Sequence, residues 1–468
     1  MTTLRFHGSA AVLLLPLALF VAVTARLFIS EAAFDLTGLA AAGVLTLFSG
    51  SLLAKSPSEY WKAAVRGASS ELTGTVVLIL IASGIFSAMM KASGVADGLV
   101  FLGGMLHLTG HAFTVFVLLA SSLMAAATGS SIGTLLAAMP IFFPAGVALG
   151  ADPAMLAGAV LSGAIFGDNL APVSDVTVIS SVTQRFRDGT PADIAGVVRT
   201  RLPYAMTALA VSMPVYAFMG ASRPVSEAAL SGDASALLML VPVAVLIAVA
   251  VRTRDVLMAI STGTATGLLI GRLSFATIFA ADDGRLSDFL ISGISNVSPI
   301  ILLCVTLFAF TGIVREAGVP DMMAKALEAG SAGRPSALRT ELFLSAATLV
   351  VTTLFAAVTS ASVALVGSLT DDIGRASNVH PYRRSHILSG LANSLPVLMP
   401  FSAFVLITMA AVSGLEGAAA VTPFTLMTAA FYPIALFLVF GFMVLTGTGR
   451  MMETPEPEAA EAKTATAL

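Results

Sequence analysis

Charge is scarce in this chain: Asp, Glu, Lys and Arg make up only 11% of 468 residues, and their formal sum is −3. With so few cations, scattered in short loops, no basic face for nucleic acid is expected. A lone cysteine, Cys304, excludes a disulfide framework and a thiolate metal site, and its apolar surroundings make it a small core residue. No stretch fits the phosphate loop GxxxxGK[ST], so ATP is not the expected energy source. His107 and His111 stand at helical spacing, but no cysteine or nearby acid completes a zinc set. A hairpin tip or a membrane interface suits them better. Nothing here reads as an enzyme, and no cofactor is expected.

What is abundant is apolar sequence. Hydrophobic residues make up 57% of the chain and the mean hydropathy is +0.94, which no soluble fold supports. The expected class is an all-α polytopic protein of about 11–14 membrane segments, counted as apolar windows of about twenty residues. The run 10–28 resembles a secretory signal but is long enough to span. The segment 55–71, with Tyr60 and Trp61 beside Lys55, Lys62 and Arg66, fits an interfacial helix on the cytoplasmic side. The Gly-rich stretch 95–111 suits a re-entrant hairpin. Arginines at 185, 187, 199 and 201, and again at 375, 383 and 384, mark cytoplasmic loops, whereas the acidic stretch 272–296 falls outside. Both termini are then cytoplasmic in a cell inner (plasma) membrane, and the Glu-, Pro- and Ala-rich tail after Arg450 reads as disordered.

The later part of the chain echoes the earlier part. FSAMMKASGVAD (86–97) resembles FTGIVREAGVPD (310–321), ATGSS (127–131) resembles VTSAS (358–362), and Ser162-Gly163 resembles Ser389-Gly390. The charge pattern runs the copies in opposite directions, which predicts two inverted-topology repeats with a site between them at the midplane. The expected organisation is scaffold spans and interfacial helix (1–72), first repeat (73–220), connecting spans and loop (221–296), second repeat (297–447) and tail (448–468).

The stretch GAIFGDNLAPVSDVTVISS (163–181) places Asp168 and Asp175 as the only charges between Asp152 and Arg185. An ionisable group at membrane depth is costly and marks an ion or proton pathway. Pro172 removes a backbone donor and clashes one turn back, so a break is expected whose freed carbonyls join the carboxylates as cation ligands. Asn169, Ser174, Thr177 and Ser180 supply further oxygens. The competing reading sets both aspartates at a helix end near the headgroups, with Asp168 acting only as an N-cap.

Two hydroxyl clusters occupy the positions where the repeat predicts partners. One holds Thr128, Ser130, Ser131 and Thr134 around Gly129; the other holds Thr359, Ser360 and Ser362. Hydroxyl and carbonyl oxygens are hard ligands that suit Na⁺, although Ser and Thr also serve membrane helices as packing residues. A third cluster, Asn393 and Ser394 with Pro396 and Pro400, aligns loosely with 168–175 and has no carboxylate.

FGDNLAPVSDVTVIS resembles the FGDxxSPxSDTT signature of NhaC-type Na⁺/H⁺ antiporters, and ATGSSIGT resembles their GTSWGT segment. The resemblance implies the ion-transporter superfamily: inverted repeats, re-entrant hairpins, a dimerising scaffold and a mobile, elevator-like transport unit. It carries over Asp168, Ser174, Asp175 and Thr177 from the first motif, and Gly129, Ser131, Gly133 and Thr134 from the second. Ile132 departs from the family's Trp, and Asn393-Ser394 stand near where many members have an acidic pair.

The first reading is therefore a Na⁺/H⁺ antiporter, with membrane lipid, Na⁺ and H⁺ as its partners, no nucleic acid, and a homodimer as its assembly. Asp168 and Asp175 are its candidate Na⁺ ligands, Asp175 being favoured as the carboxylate that holds either Na⁺ or a proton. The alternative is a Na⁺- or H⁺-coupled carrier of a small organic acid or amino acid. That alternative wants a cation at the site, and no Lys or Arg is clearly inside a span; Lys91, Arg383 and Arg384 come nearest. A channel and a non-transporting scaffold rank below both.

Overall fold

The computed structural model describes residues 4–8, 10–26, 36–93, 95–108, 110–172, 174–221, 234–253, 255–274, 287–318, 336–355 and 357–453. Among them there are helices and isolated β-bridges but no strand. The helices of the earlier part are α1 (Leu14–Ala25), α2 (Leu36–Leu53), α3 (Pro57–Ala68), α4 (Glu71–Ala92), α5 (Val95–Met105), α6 (Gly110–Thr128), α7 (Ser131–Ala148), α8 (Pro153–Leu170), α9 (Asp175–Val182) and α10 (Ile194–Met219). Then come α11 (Leu240–Thr253), α12 (Val256–Ser274) and α13 (Ser287–Glu316). The later part holds α14 (Ala337–Leu354), α15 (Thr359–Ala376), α16 (Pro381–Ala392), α17 (Ala403–Val412), α18 (Pro423–Ala429) and α19 (Phe431–Thr446).

Seven of the described helices are long and apolar enough to cross a membrane, or up to nine spans if each bent pair counts as one. Shorter apolar helices cover 40–53, 237–249 and 257–270, and the expected 11–14 segments are reached when these are counted with the nine. Both bent pairs lie in the later part: residues 381–398 meet α17 at 52°, and α18 meets α19 at 54°. The protein is thus a multi-pass helical membrane protein.

Local chemistry sets where these helices begin. Asp152 accepts the Met155 N–H at 3.0 Å with Pro153 in the first turn, Ser130 accepts the Gly133 N–H at 3.1 Å, and Asp193 accepts the Gly196 N–H at 2.6 Å. Each oxygen fills one of the donors that a helix start leaves open.

The stretch containing α8 and α9 is the most buried of the candidate spans. On α8, Gly163 and Gly167 lie against the backbone of α6: a Cβ at Gly167 would meet Ser122 O at 2.3 Å and Ala126 N at 2.5 Å. Without side chains there, the two helices approach closely and pack by van der Waals contact, the force that holds helices together in lipid. That contact fixes the height of Asp168, one residue further on.

Two helix pairs of similar length, α6–α7 and α14–α15, are each joined by a tight turn with a left-handed residue. The α6–α7 turn runs through Gly129 at φ 69°, and the α14–α15 turn through Ala357 at φ 59°. The 86–97 and 310–321 pairing falls partly outside the described residues. His107, with φ 52°, sits in the turn after α5, and both it and His111 are exposed.

The arginines differ from expectation. Arg201 belongs to α10 rather than to a loop, and Arg383 and Arg384 lie in the first turn of α16; all three are fully buried. Arg383 pairs with Glu341 at 3.0 Å and Arg384 with Asp371 at 2.6 Å. The chain end is held as far as Glu453: Arg450 also pairs with Glu341, at 2.9 Å, and Met452 bridges Val379. Residues 454–468 of the expected disordered tail lie outside the described residues.

Candidate functional site

A cavity of about 490 Å³ opens where the breaks meet. That is many times the roughly 30 Å³ share of one water molecule, so an ion can arrive with much of its hydration shell. From the first half come Thr128, Ser130 and Ser131 at the α6–α7 turn, Asp168 at the end of α8, and Ser174 and Asp175 at the start of α9. Thr359 and Ser360 come from the start of α15. The rest of the wall is largely apolar, with Ile79, Cys304, Phe308, Phe404 and Ile407.

Eight of the residues singled out in the sequence therefore share one wall. Between the two aspartates the environment differs sharply. Asp168 is 5% exposed, and its Oδ2 accepts a hydrogen bond from the Ser131 hydroxyl at 3.2 Å. Asp175 is exposed to the cavity. A carboxylate shielded from water gains most from a bound cation or proton, because water does so little to stabilise its charge.

Pro172 does interrupt the span, between Leu170 and Asp175. The freed carbonyl of Asn169, however, is taken by Arg201 Nη1 at 2.7 Å and not offered to the cavity. The Asn169 amide donates to the Tyr432 hydroxyl at 3.3 Å, and Thr177 Oγ1 accepts from Arg201 Nη1 at 3.1 Å. Neither residue lines the cavity. Thr134 borders a separate small pocket with Met124 and Leu246, Ser362 donates to Val358 O at 2.9 Å, and Ser394 donates to Leu391 O at 2.7 Å. Asn393 is buried, and neither amide atom has a hydrogen-bond partner among the described residues. Their place in oxygen-rich stretches beside breaks, the family motifs and a loose repeat alignment grouped these six with the candidate ligands; they fall outside the lining of the cavity.

Two residues were missed. Asp255 lines the cavity mouth from the start of α12, where its Oδ1 caps the Met258 N–H at 2.9 Å. The sequence signal was available, an acid between Arg254 and an apolar run, but it reads as an ordinary loop charge. Arg201 was hidden among the loop arginines, although it falls inside the apolar window 194–219. No group of three or more His, Cys, Asp or Glu gathers as a metal site among the described residues.

Residues 3–221, just under half of the chain, match the model of the Na⁺/H⁺ antiporter family. The motif resemblance is borne out over those residues. A malate-2H⁺/Na⁺-lactate antiporter of Bacillus subtilis is 31% identical over 176 residues, 38% of this chain and 36% of that protein. The Na⁺/H⁺ antiporter NhaC of Alkalihalophilus pseudofirmus is 40% identical over 104 residues, 22% of each chain. These matches span little more than a third of the curated relatives' lengths at most. The solved Alcanivorax borkumensis YdaH transporter aligns with 83% of this chain and 88% of its own at 10% identity, with a TM-score of 0.42.

Proposed function

We propose that the protein is a secondary active transporter that exchanges Na⁺ for H⁺ by alternating access, with Asp168 as the shared site. The observation that carries this reading is a buried carboxylate that accepts a hydrogen bond from the Ser131 hydroxyl and lines a cavity walled by both halves of the chain. A carboxylate in that setting holds a proton or a cation but not both, and this exclusion couples the two fluxes. Ser131, Thr359 and Ser360 are placed to complete a Na⁺ shell with cavity water. Asp175, in contact with water, serves as a supporting charge on the approach. Thr75 and Asp255 belong to helix starts beside the basic segments 55–66 and 252–254, and by the positive-inside rule the cavity then opens to the cytoplasm, with both termini inside. The repeat pattern supports an inverted pair, and the family likeness a homodimer in the plasma membrane.

One feature supports the second reading, a small organic acid or amino acid as cargo. The start of α15 lines the cavity and has no side-chain cap among the described residues, which suits its first N–H groups to a carboxylate. The Bacillus subtilis relative is named for such substrates.

Reconstituted protein tests both readings. Under an imposed Na⁺ gradient, internal pH should change with wild type and with Asp175→Asn. With Asp168→Asn it should change at least about 100-fold more slowly, because the amide keeps the shape and loses the charge. Full-rate exchange by Asp168→Asn sinks the antiporter reading. Dependence of wild-type flux on an added hydroxy acid would establish the second.

A further inference from the structure

Three arginines are fully buried, and they are not alike. Arg383 and Arg384 are each neutralised by a carboxylate, Glu341 and Asp371. Arg201 has no carboxylate within ion-pair distance among the described residues. Its Nη1 donates to Asn169 O at 2.7 Å and Thr177 Oγ1 at 3.1 Å, its Nη2 reaches Ser180 Oγ at 3.5 Å, and its Nε is buried without an acceptor. A buried guanidinium answered only by neutral oxygens is unfavourable. As a packing element alone it would be a poor choice.

Its acceptors show what it does. Asn169 is the residue after Asp168 near the end of α8, whereas Thr177 and Ser180 lie on α9, beyond the break at Pro172. One planar group thus holds both fragments of the interrupted span. Beside these acceptors, Asp168, Ser174 and Asp175 of the same two fragments line the cavity. We propose that Arg201 is a positioning residue of the cation site: it clamps the α8–α9 break so that Asp168 and the start of α9 keep their spacing when no ion links them.

This inference rests on the reading of the cavity as the transport site and adds the device that preorganises it. With the clamp, an incoming cation meets ligands already placed; without it, binding must also order the break. The fork geometry matters, because a lysine ammonium in the same place cannot span both helix fragments as a guanidinium does. The fixed positive charge, one residue behind Asp168, also helps to balance the carboxylate in the empty site.

The test compares Arg201→Gln, Arg201→Lys, Thr177→Val and Arg384→Gln in proteoliposomes, reading KM for Na⁺, Vmax and the melting temperature of the purified protein. Arg201→Gln should raise KM by about tenfold or more, the scale of a lost charged hydrogen bond, and Arg201→Lys should recover only part of it. Thr177→Val should raise KM a few-fold at an unchanged melting temperature, with little further effect when added to Arg201→Gln. Arg384→Gln, which breaks an ion pair away from the cavity, should lower the melting temperature and leave KM alone. An unchanged KM in Arg201→Gln overturns the proposal. Should that variant fail to fold, unchanged KM in both Arg201→Lys and Thr177→Val overturns it equally. Absence of Na⁺-dependent flux in wild type is a separate result, which removes the proposed function before any variant is read.

Discussion

At the first helix break the α6–α7 turn is made by Gly129 at φ 69°, and at the second the α14–α15 turn is made by Ala357 at φ 59°. Both deliver hydroxyls to one cavity, Ser130 and Ser131 from one side and Thr359 and Ser360 from the other. Past these turns the halves diverge. The helix after the first turn is followed by α8, whose last turn carries Asp168, next to Asn169, which is held by an arginine without an ion pair among the described residues. The corresponding α16 begins with Arg383 and Arg384, both neutralised, and ends at Asn393, whose buried amide faces no partner among the described residues. The same backbone device therefore serves two ends. In the first half Asp168 and Asp175 line the cavity, and in the second the buried Arg383 and Arg384 are paired with Glu341 and Asp371.

Removing the internal neutralisation should give the largest effect. Glu341→Gln leaves Arg383 and Arg450 without their carboxylate, and breaking a buried pair costs about 3–5 kcal/mol. The expected outcome is a large fall in melting temperature and in yield of folded protein, read by heating and size exclusion. A stable variant would show that the second half does not depend on its ion pairs. Next come the hydroxyls. Ser131→Ala removes the bond to Asp168 and should raise KM for Na⁺ about tenfold, since a hydrogen bond to a charged group contributes about 1.5–3 kcal/mol. Thr359→Val should raise it less, because no hydrogen bond joins Thr359 to a carboxylate among the described residues; equal shifts in flux assays would erase the asymmetry between the halves. The smallest effects belong to the turns. Gly129→Ala should destabilise by about 1–2 kcal/mol, the penalty of a left-handed conformation for a residue with a Cβ. Ala357→Gly should be close to neutral, because relief of that strain is offset by loss of a buried methyl contributing about 0.8 kcal/mol. Denaturation of the purified variants measures both.

How much could be read beforehand follows from the range of each interaction. The membrane class is a matter of solvent transfer, summed over residues whatever their partners. The break at Pro172 is a local steric effect, and the helix starts at Ser130, Asp152 and Asp193 depend on N–H groups three residues away. Eight of the cavity-lining residues were legible for the same reason, since hydroxyls or carboxylates beside a break sit where the backbone is already open.

Which aspartate is shielded was not legible. Asp168 and Asp175 have similar neighbours in sequence and both line the cavity, but with α6 packed closely on Gly163 and Gly167 Asp168 is buried while Asp175 is exposed. Periodicity offers no help, because a membrane helix shows apolar residues to lipid and to protein alike and has no polar face to mark its orientation. The sequence by itself therefore determined a helical membrane protein with its span interrupted at Pro172 and two acids beside the interruption. The tertiary structure alone decided that Arg201 crosses 32 positions to hold Asn169, that Arg383 crosses 42 to reach Glu341, and that Asp255 joins the cavity, because burial and pairing are set by helices that meet only once the chain has folded.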